Sequence, residues 1–330
     1  MTGPLTTIEP YPPARPLPVG YDRYHPDLGS ERVAVAGLLG GVAWVDLAWP
    51  ALVEELIALG RTDVPLARLT EGHVDALRIL EQAGAVPEPG ALYGVWASRS
   101  ARTGLTVVGH GEKLEISGTL RFASGAGLVD RALVPVWFDD DRHVLVDLDA
   151  SGLPVDPTVW RTSAMTPSRT YEIQVDALLV PATARRGPEG FYLDRPGFQA
   201  GGLGVAACWV GGAARVIDVL LAFHPHPNPA QQVRFGAIRT DLVVAAAAVR
   251  AGARLLEDPA VDTTPVALEA RTAVAEAVHR ILANARLLTG PTGLALDDAV
   301  AHVVPDLELY TLQHNLDAAS AALGSPGSRP

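Results

Sequence analysis

The hydrophobic period of this 330-residue chain changes twice, and such a chain packs as three successive units. Up to Gly84 the apolar residues recur at helical spacing. Leu38, Leu39, Val42 and Val45 come first, then Leu52, Val53, Leu56 and Leu59 after a break at Pro50, then Val74, Leu77, Ile79 and Leu80. Gly60 is placed to close the second segment, and Asp63 to cap the third with Pro65 in its first turn. Pro87, Pro89 and Gly90 mark a boundary, after which β-branched alternation and glycine-rich turns run to about Pro181. From Leu203 the helical spacing returns in four Ala- and Leu-rich segments, at about 203–223, 235–257, 266–288 and 298–322. HPHPNP, DPAVDTTP and TGPTG separate them. Four long helices in succession predict an antiparallel bundle. The expected class is α+β: a short N-terminal helical domain (31–92), a middle β-barrel-like domain (93–185) and a C-terminal four-helix bundle (200–324). A loosely ordered arm (1–30) with seven prolines precedes them.

Composition removes several function classes. A net charge of −11 leaves no basic stripe for a nucleic-acid backbone. Cys208 is the single cysteine and sits in an apolar run, so there is no disulfide framework and no thiolate metal site; a reducing cytoplasm is the expected compartment. The start lacks the basic and apolar regions of a signal peptide. The uncharged run Pro196 to Ala214 approaches spanning length, but its six glycines, Pro196 and Gln199 favour a buried core helix over a membrane span.

The segment Gly111 to Val136 reads GEKLEISGTLRFASGAGLVDRALVPV. Leu114, Ile116 and Gly118 alternate as one strand, Ala132 to Val136 form another, and Ala123 to Gly127 make a tight connection. That connection holds Phe122, Ser124, Gly125 and Gly127 together, a composition that lets backbone approach a flat ligand. Gly118, Arg121, Phe122, Ser124 and Asp130 resemble the middle-domain motif of the acyl-CoA dehydrogenase family of flavoproteins, in which the aromatic and the hydroxyl lie against the flavin ring. Trp96 and Ser98, within Tyr93 to Ser98, stand where that family places its other flavin-facing strand and loop. RLTEGHVDALRILEQAG resembles the helical entry to its β-domain and PDLELYTLQHNLDAASAALG its closing helix.

The resemblance implies non-covalent FAD, α,β-dehydrogenation of an acyl thioester such as an acyl-CoA, an electron-acceptor flavoprotein as partner, and a homodimer or homotetramer. The family's catalytic glutamate position falls at Gln313 to His314, so His314 is the first candidate base and Glu71 the second. Gly290 and Gly293 match the glycine turn that the family often contributes across a dimer interface, and Arg234 stands in for its dinucleotide-binding arginine. Asp306 and Glu308 read as caps near the start of the last helix. Glu71 and Asp75 share a helix face from which His73 is excluded, which argues against a metal site. Two other readings stay open: a flavin monooxygenase of the same fold, whose ending the Gln-His pair also resembles, and a catalytically inactive subunit paired with an active homologue.

Overall fold

A computed structural model describes residues 11–99, 103–108, 112–139 and 142–325; Gly111 and the first ten residues of the arm lie outside them. Three helices come first. Asp27 caps α1 (Leu28–Leu39), accepting from the Ser30 N–H. α2 (Trp49–Thr62) starts with Pro50 in its first turn, where no N–H is needed. Only Asp63 separates it from α3 (Val64–Gln82), and its side chain accepts from the Leu66 N–H at 3.1 Å. From Tyr11 on, the described part of the proline-rich arm is held against the helices: Tyr11 is buried, and Arg15 donates to the Leu38 carbonyl at 2.7 Å and pairs with Glu55.

Eight strands follow: β1 (Tyr93–Val95), β2 (Gly104–Val108), β3 (Lys113–Ala123), β4 (Arg131–Trp137), β5 (His143–Asp149), β6 (Val155–Asp156), β7 (Tyr171–Pro181) and β8 (Arg185–Arg186). Among the described residues they make one mixed sheet in the order β6-β7-β3-β2-β4-β5-β8, with β1 off this path beside β4, and its outer strands β6 and β8 do not pair. β1 and β2 run in succession along the same edge of β4: Tyr93–Val95 pair with Arg131–Leu133, and Leu105 and Thr106 with Val136 and Trp137. β3 and β4 are not neighbours, because β2 lies between them, so the glycine-rich connection crosses the sheet end instead of closing a hairpin. Gly118 (φ 136°) allows the tight approach of β2, since a Cβ there would overlap the Gly104 carbonyl. β4 and β5 are buried on both faces. Leu133 and Leu145 pack with Ile79 and Leu80 of α3, while Ala132, Val134, Val144 and Val146 face the main core.

After the short α4 (Phe191–Asp194) come α5 (Gly197–Phe223), α6 (Pro229–Leu255), α7 (Thr263–Leu296), α8 (Asp298–Thr311) and α9 (Leu316–Leu323). α5 is long and apolar enough to cross a membrane, and 72% of its apolar window is buried inside the protein. Gly60 lies within α2 and does not end it. Its missing Cβ lets α5 cross at backbone contact, because a Cβ on Gly60 would overlap the Cys208 carbonyl and one on Gly211 the Ile57 carbonyl. TGPTG interrupts the helical run as expected: Gly290 has non-helical backbone (φ 56°, ψ −162°), and the two parts of α7 meet there at a kink. The last expected helix is two. α8 stops at Thr311, and Asn315 caps α9 by accepting from the Ala318 N–H at 2.9 Å, a local side-chain bond that competes with helix continuation. Asp306 and Glu308 therefore sit well inside α8, whose N-cap is Asp297.

Candidate active site

A cavity of about 530 Å³ opens where the sheet end meets α3, α5 and the end of α8. Its β wall is built from Ala97 and Ser98 just beyond β1, Phe122 and Ser124 at the end of β3, and Met165 and Thr170 from the segment before β7. Phe122 takes left-handed backbone (φ 60°) at a register shift of the β3–β7 ladder between Leu120 and Ala123. The bulge turns the ring outward, leaving it 56% exposed against the cavity. A bulky residue in that conformation is costly and marks a position held by its surroundings. The surroundings are visible. The Gly125 N–H donates to the Ser168 carbonyl (2.9 Å) and the Ala126 N–H to the Arg169 carbonyl (3.1 Å). Ser124 and Thr170 hydroxyls bond at 2.9 Å, and the buried Trp96 indole donates to the Ser124 carbonyl at 2.8 Å. Trp96 thus supports the wall from behind, whereas Ser98, Phe122 and Ser124 face the cavity.

Met165 and Arg169 are also left-handed (φ 57° and 46°). The Met165 N–H donates to Asp306 of α8 at 2.5 Å, which joins this wall to the helical layer. Burial pushes the Asp306 carboxyl up to about 7, the Met165 N–H opposing and Asp63 reinforcing. Asp130, from the same motif, accepts from Arg32 (2.6 Å) and from the Leu92 N–H (2.7 Å), tying the crossing loop to α1 and to the entry of β1.

The helical wall carries the ionisable groups. Glu71 accepts from Arg68 at 2.9 Å, and Asp75 lies one turn further with Arg195 at 3.7 Å. Burial pushes the Glu71 carboxyl up to about 7; Arg68 opposes that, Asp75 reinforces it and Arg271 opposes weakly. Asp75 is raised too, mainly by burial against the pull of Arg195. Tyr310 of α8 closes this side; its hydroxyl is buried and has no hydrogen-bond partner among the described residues. Such an atom needs a partner in the working protein.

Other sequence-derived candidates lie elsewhere. His314 falls in the turn between α8 and α9, outside the cavity lining, sharing a hydrogen bond with Thr272 at 3.1 Å. Burial, helped by Arg271, lowers its pKa to about 4. Arg234 donates to Asn284 across α6 and α7 at 3.2 Å, and Gly290 and Gly293 sit at the α7 bend; none of the three lines the cavity. His73 accepts from the Tyr93 N–H at 2.9 Å, which pins β1 to α3, and burial lowers its pKa to about 4. His224 is held by the Leu288 carbonyl and Gln231. No cluster of metal-ligating side chains occurs among the described residues. The sequence reading missed Arg68, Tyr310, Met165 and Thr170. A signal for the first existed in Arg68, Glu71, Asp75, Arg78 and Gln82, polar residues spaced three, four, three and four apart in a helix that otherwise reads as core.

The chain matches no protein-family profile and no curated protein. Solved structures do match. Dibenzothiophene monooxygenase from Paenibacillus sp. superposes with a TM-score of 0.72 at 17% identity, over 90% of this chain and 88% of the other; it has also been solved with FMN bound. Butyryl-CoA dehydrogenase from Megasphaera elsdenii gives 0.75 at 15% identity, over 90% and 89%. Methanesulfinate monooxygenase from Pseudomonas fluorescens gives 0.70 at 15%, over 90% and 87%. The order of layers, with helices before and after one sheet, defines a three-part α+β protein. More narrowly, the chain has the acyl-CoA dehydrogenase fold.

Proposed function

We propose that the protein is a flavin-dependent oxidoreductase whose acid–base group is Glu71. The observation that carries this is the exposed, left-handed Phe122, which sets a flat aromatic wall against the cavity that Glu71 enters from the other side. The residues present suit a flavin ring: Phe122 offers a face, the hydroxyls of Ser98, Ser124 and Thr170 offer an edge, and Tyr310 has an unpartnered hydroxyl. A bound flavin supplies a two-electron acceptor or donor. The chain supplies the rest. Trp160, Val205, Leu309 and Leu312 give the cavity apolar lining, and Glu71, its carboxyl raised by burial, holds or takes a proton.

The primary reading is α,β-dehydrogenation of an acyl thioester, with Glu71 removing the α-proton and electrons leaving to an acceptor flavoprotein. Burial of Glu71 keeps a second reading open, oxygen transfer to a small substrate, because burial raises its carboxyl against the pull of Arg68 and so favours the protonated, donating form. FAD is the proposed cofactor, with Arg234 and the Gly290–Gly293 bend completing the site of a second subunit; FMN, which lacks the part those residues would hold, is the alternative. The lone, buried Cys208 suits the cytoplasm.

The deciding experiment is anaerobic mixing of the flavin-loaded protein with a panel of acyl-CoAs. Bleaching of the flavin band supports dehydrogenation. No bleaching, but oxygen consumption driven by NADH and a flavin reductase, moves the assignment to oxygenation. No flavin band and no thermal shift with excess FAD or FMN ends both readings and leaves a non-catalytic subunit.

A further inference from the structure

The polar stripe of α3 does not stop at the large cavity. Arg68, Glu71, Asp75, Arg78 and Gln82 fall on one helix face. Glu71 and Asp75 line the large cavity and also a second, separate pocket of about 20 Å³ between α2, α3 and α5. That is room for about one water, and the pocket has polar partners for it. Trp49 and Leu56 bound it on one side, Gly197 and Gly201 on the other. A Cβ on Gly197 would overlap the Gln82 amide, and one on Gly201 would come within 3.4 Å of the Asp75 carboxylate, so the two glycines keep the stripe uncovered. Accessibility rises along it: the Glu71 side chain is 6% exposed and that of Asp75 24%.

We propose that Glu71 and Asp75 form a proton relay between the large cavity and solvent at the face made by Trp49, Arg78 and Gly201. A proton leaving a molecule in the cavity protonates a Glu71 oxygen. It passes to Asp75 through a water in the small pocket, and Asp75 releases a proton to bulk water; the reverse sequence delivers one. Both carboxyls end as they began, and no electrons move. Facing Glu71 are Arg68 and Asp75 from its own helix, Cys208 of α5, Arg271 of α7 and Tyr310 of α8. Asp75 faces Arg68, Arg78, Arg195 and Tyr192. Within this set Asp75 is the only other carboxylate, and it lies one helical turn from Glu71 on the same face. A purely structural stripe would hold the helices and leave proton exchange untouched.

The relay rests on the flavin reading only for what exchanges a proton with Glu71, and its test is independent of catalysis. Photolysis of a caged proton, followed by time-resolved infrared, reads the carboxyl band of Glu71, assigned as the band missing in Glu71→Gln. It is run on protein mixed with FAD and on protein without it. Asp75→Asn and Gly201→Leu should each slow protonation of Glu71 roughly 10-fold or more, and Asp75→Glu should restore it. Circular dichroism checks that each variant folds, and the second variant serves if the first does not. Unchanged protonation rates in the folded variants overturn the relay, while an absent flavin absorption band bears only on the flavin reading.

Discussion

Phe122 and Asp306 pose opposite problems. At φ 60°, Phe122 adopts a backbone conformation that glycine would take freely. Phe122→Gly should therefore stabilise the fold by about 1 kcal/mol while weakening flavin binding, since a ring contact of about 0.5–1.5 kcal/mol is lost. Melting temperature and flavin fluorescence titration read the two effects, with Val86→Ala, 85% exposed and off the cavity, as the control. Loss of both stability and affinity would mean that the ring packs as core. Asp306 is a buried acid whose folded pKa, about 7, lies above the usual 3.8. The folded state then binds its proton more tightly, so the associated stability is fully present below about pH 4 and disappears as pH rises to about 7. Urea midpoints at pH 5 and pH 8 should fall with pH in the wild type and fall less in Asp306→Asn, by a few kcal/mol at most. Parallel slopes would show that Asp306 is not the titrating group. Glu71 has the same sign, and Glu71→Gln should cut any acid–base-limited flavin reduction by about 10² to 10⁴ while flavin content holds and His314→Ala stays near wild type.

Packing of α2 against α5 depends on two backbones meeting at Gly60, Gly211 and Gly212. Arg61 of α2 holds the same crossing through a two-pronged pair to Asp218, at 2.8 and 2.9 Å. Because neither backbone can yield, Gly211→Val should destabilise by about 3 kcal/mol or more, a cost of overpacking that thermal or urea unfolding would report. Gly37→Ala on α1 meets no atom within 4 Å and should be neutral or gain about 0.5–1 kcal/mol. If the two substitutions behaved alike, backbone contact would not be what fixes this crossing. The α8–α9 break shows the same competition between local and tertiary preference. Leu309, Leu312 and Leu316 keep helical spacing across residues 312–315, but Asn315 caps a new helix there.

As a whole, the molecule leaves aliphatic side chains uncovered on α6 and α7. Val233, Val243 and Leu287 are 75%, 57% and 65% exposed, on the same helix pair that carries Arg234 and the Gly290 bend. An interface between copies of the chain through this helix pair would cover them. Light scattering at micromolar concentration should give a dimer or tetramer, and Val233→Asp with Leu287→Asp should give monomers with weakened FAD binding. A wild-type monomer that binds FAD fully would place the whole dinucleotide site within one chain.

The class of the fold was legible in local sequence because hydrophobic period is a local property: three-and-four spacing before Gly84 and after Leu203, alternation between. That Phe122 and Ser124 sit together on the cavity wall was legible for a similar reason, since they are two residues apart in one compact run. Position in space was not. The resemblance put His314 first and Glu71 second, whereas the placement of α3 beneath the sheet end brings Glu71 into the cavity lining and leaves His314 outside it. Gly60 read as a helix stop because glycine's backbone freedom is visible in sequence, whereas the helix that needs its missing Cβ lies about 150 residues away. On α3 the sequence placed Glu71 and Asp75 on one helix face without showing what covers it. Its burial, and with it the raised pKa of Glu71, comes from α5, α7 and α8, which no window of sequence around Glu71 contains.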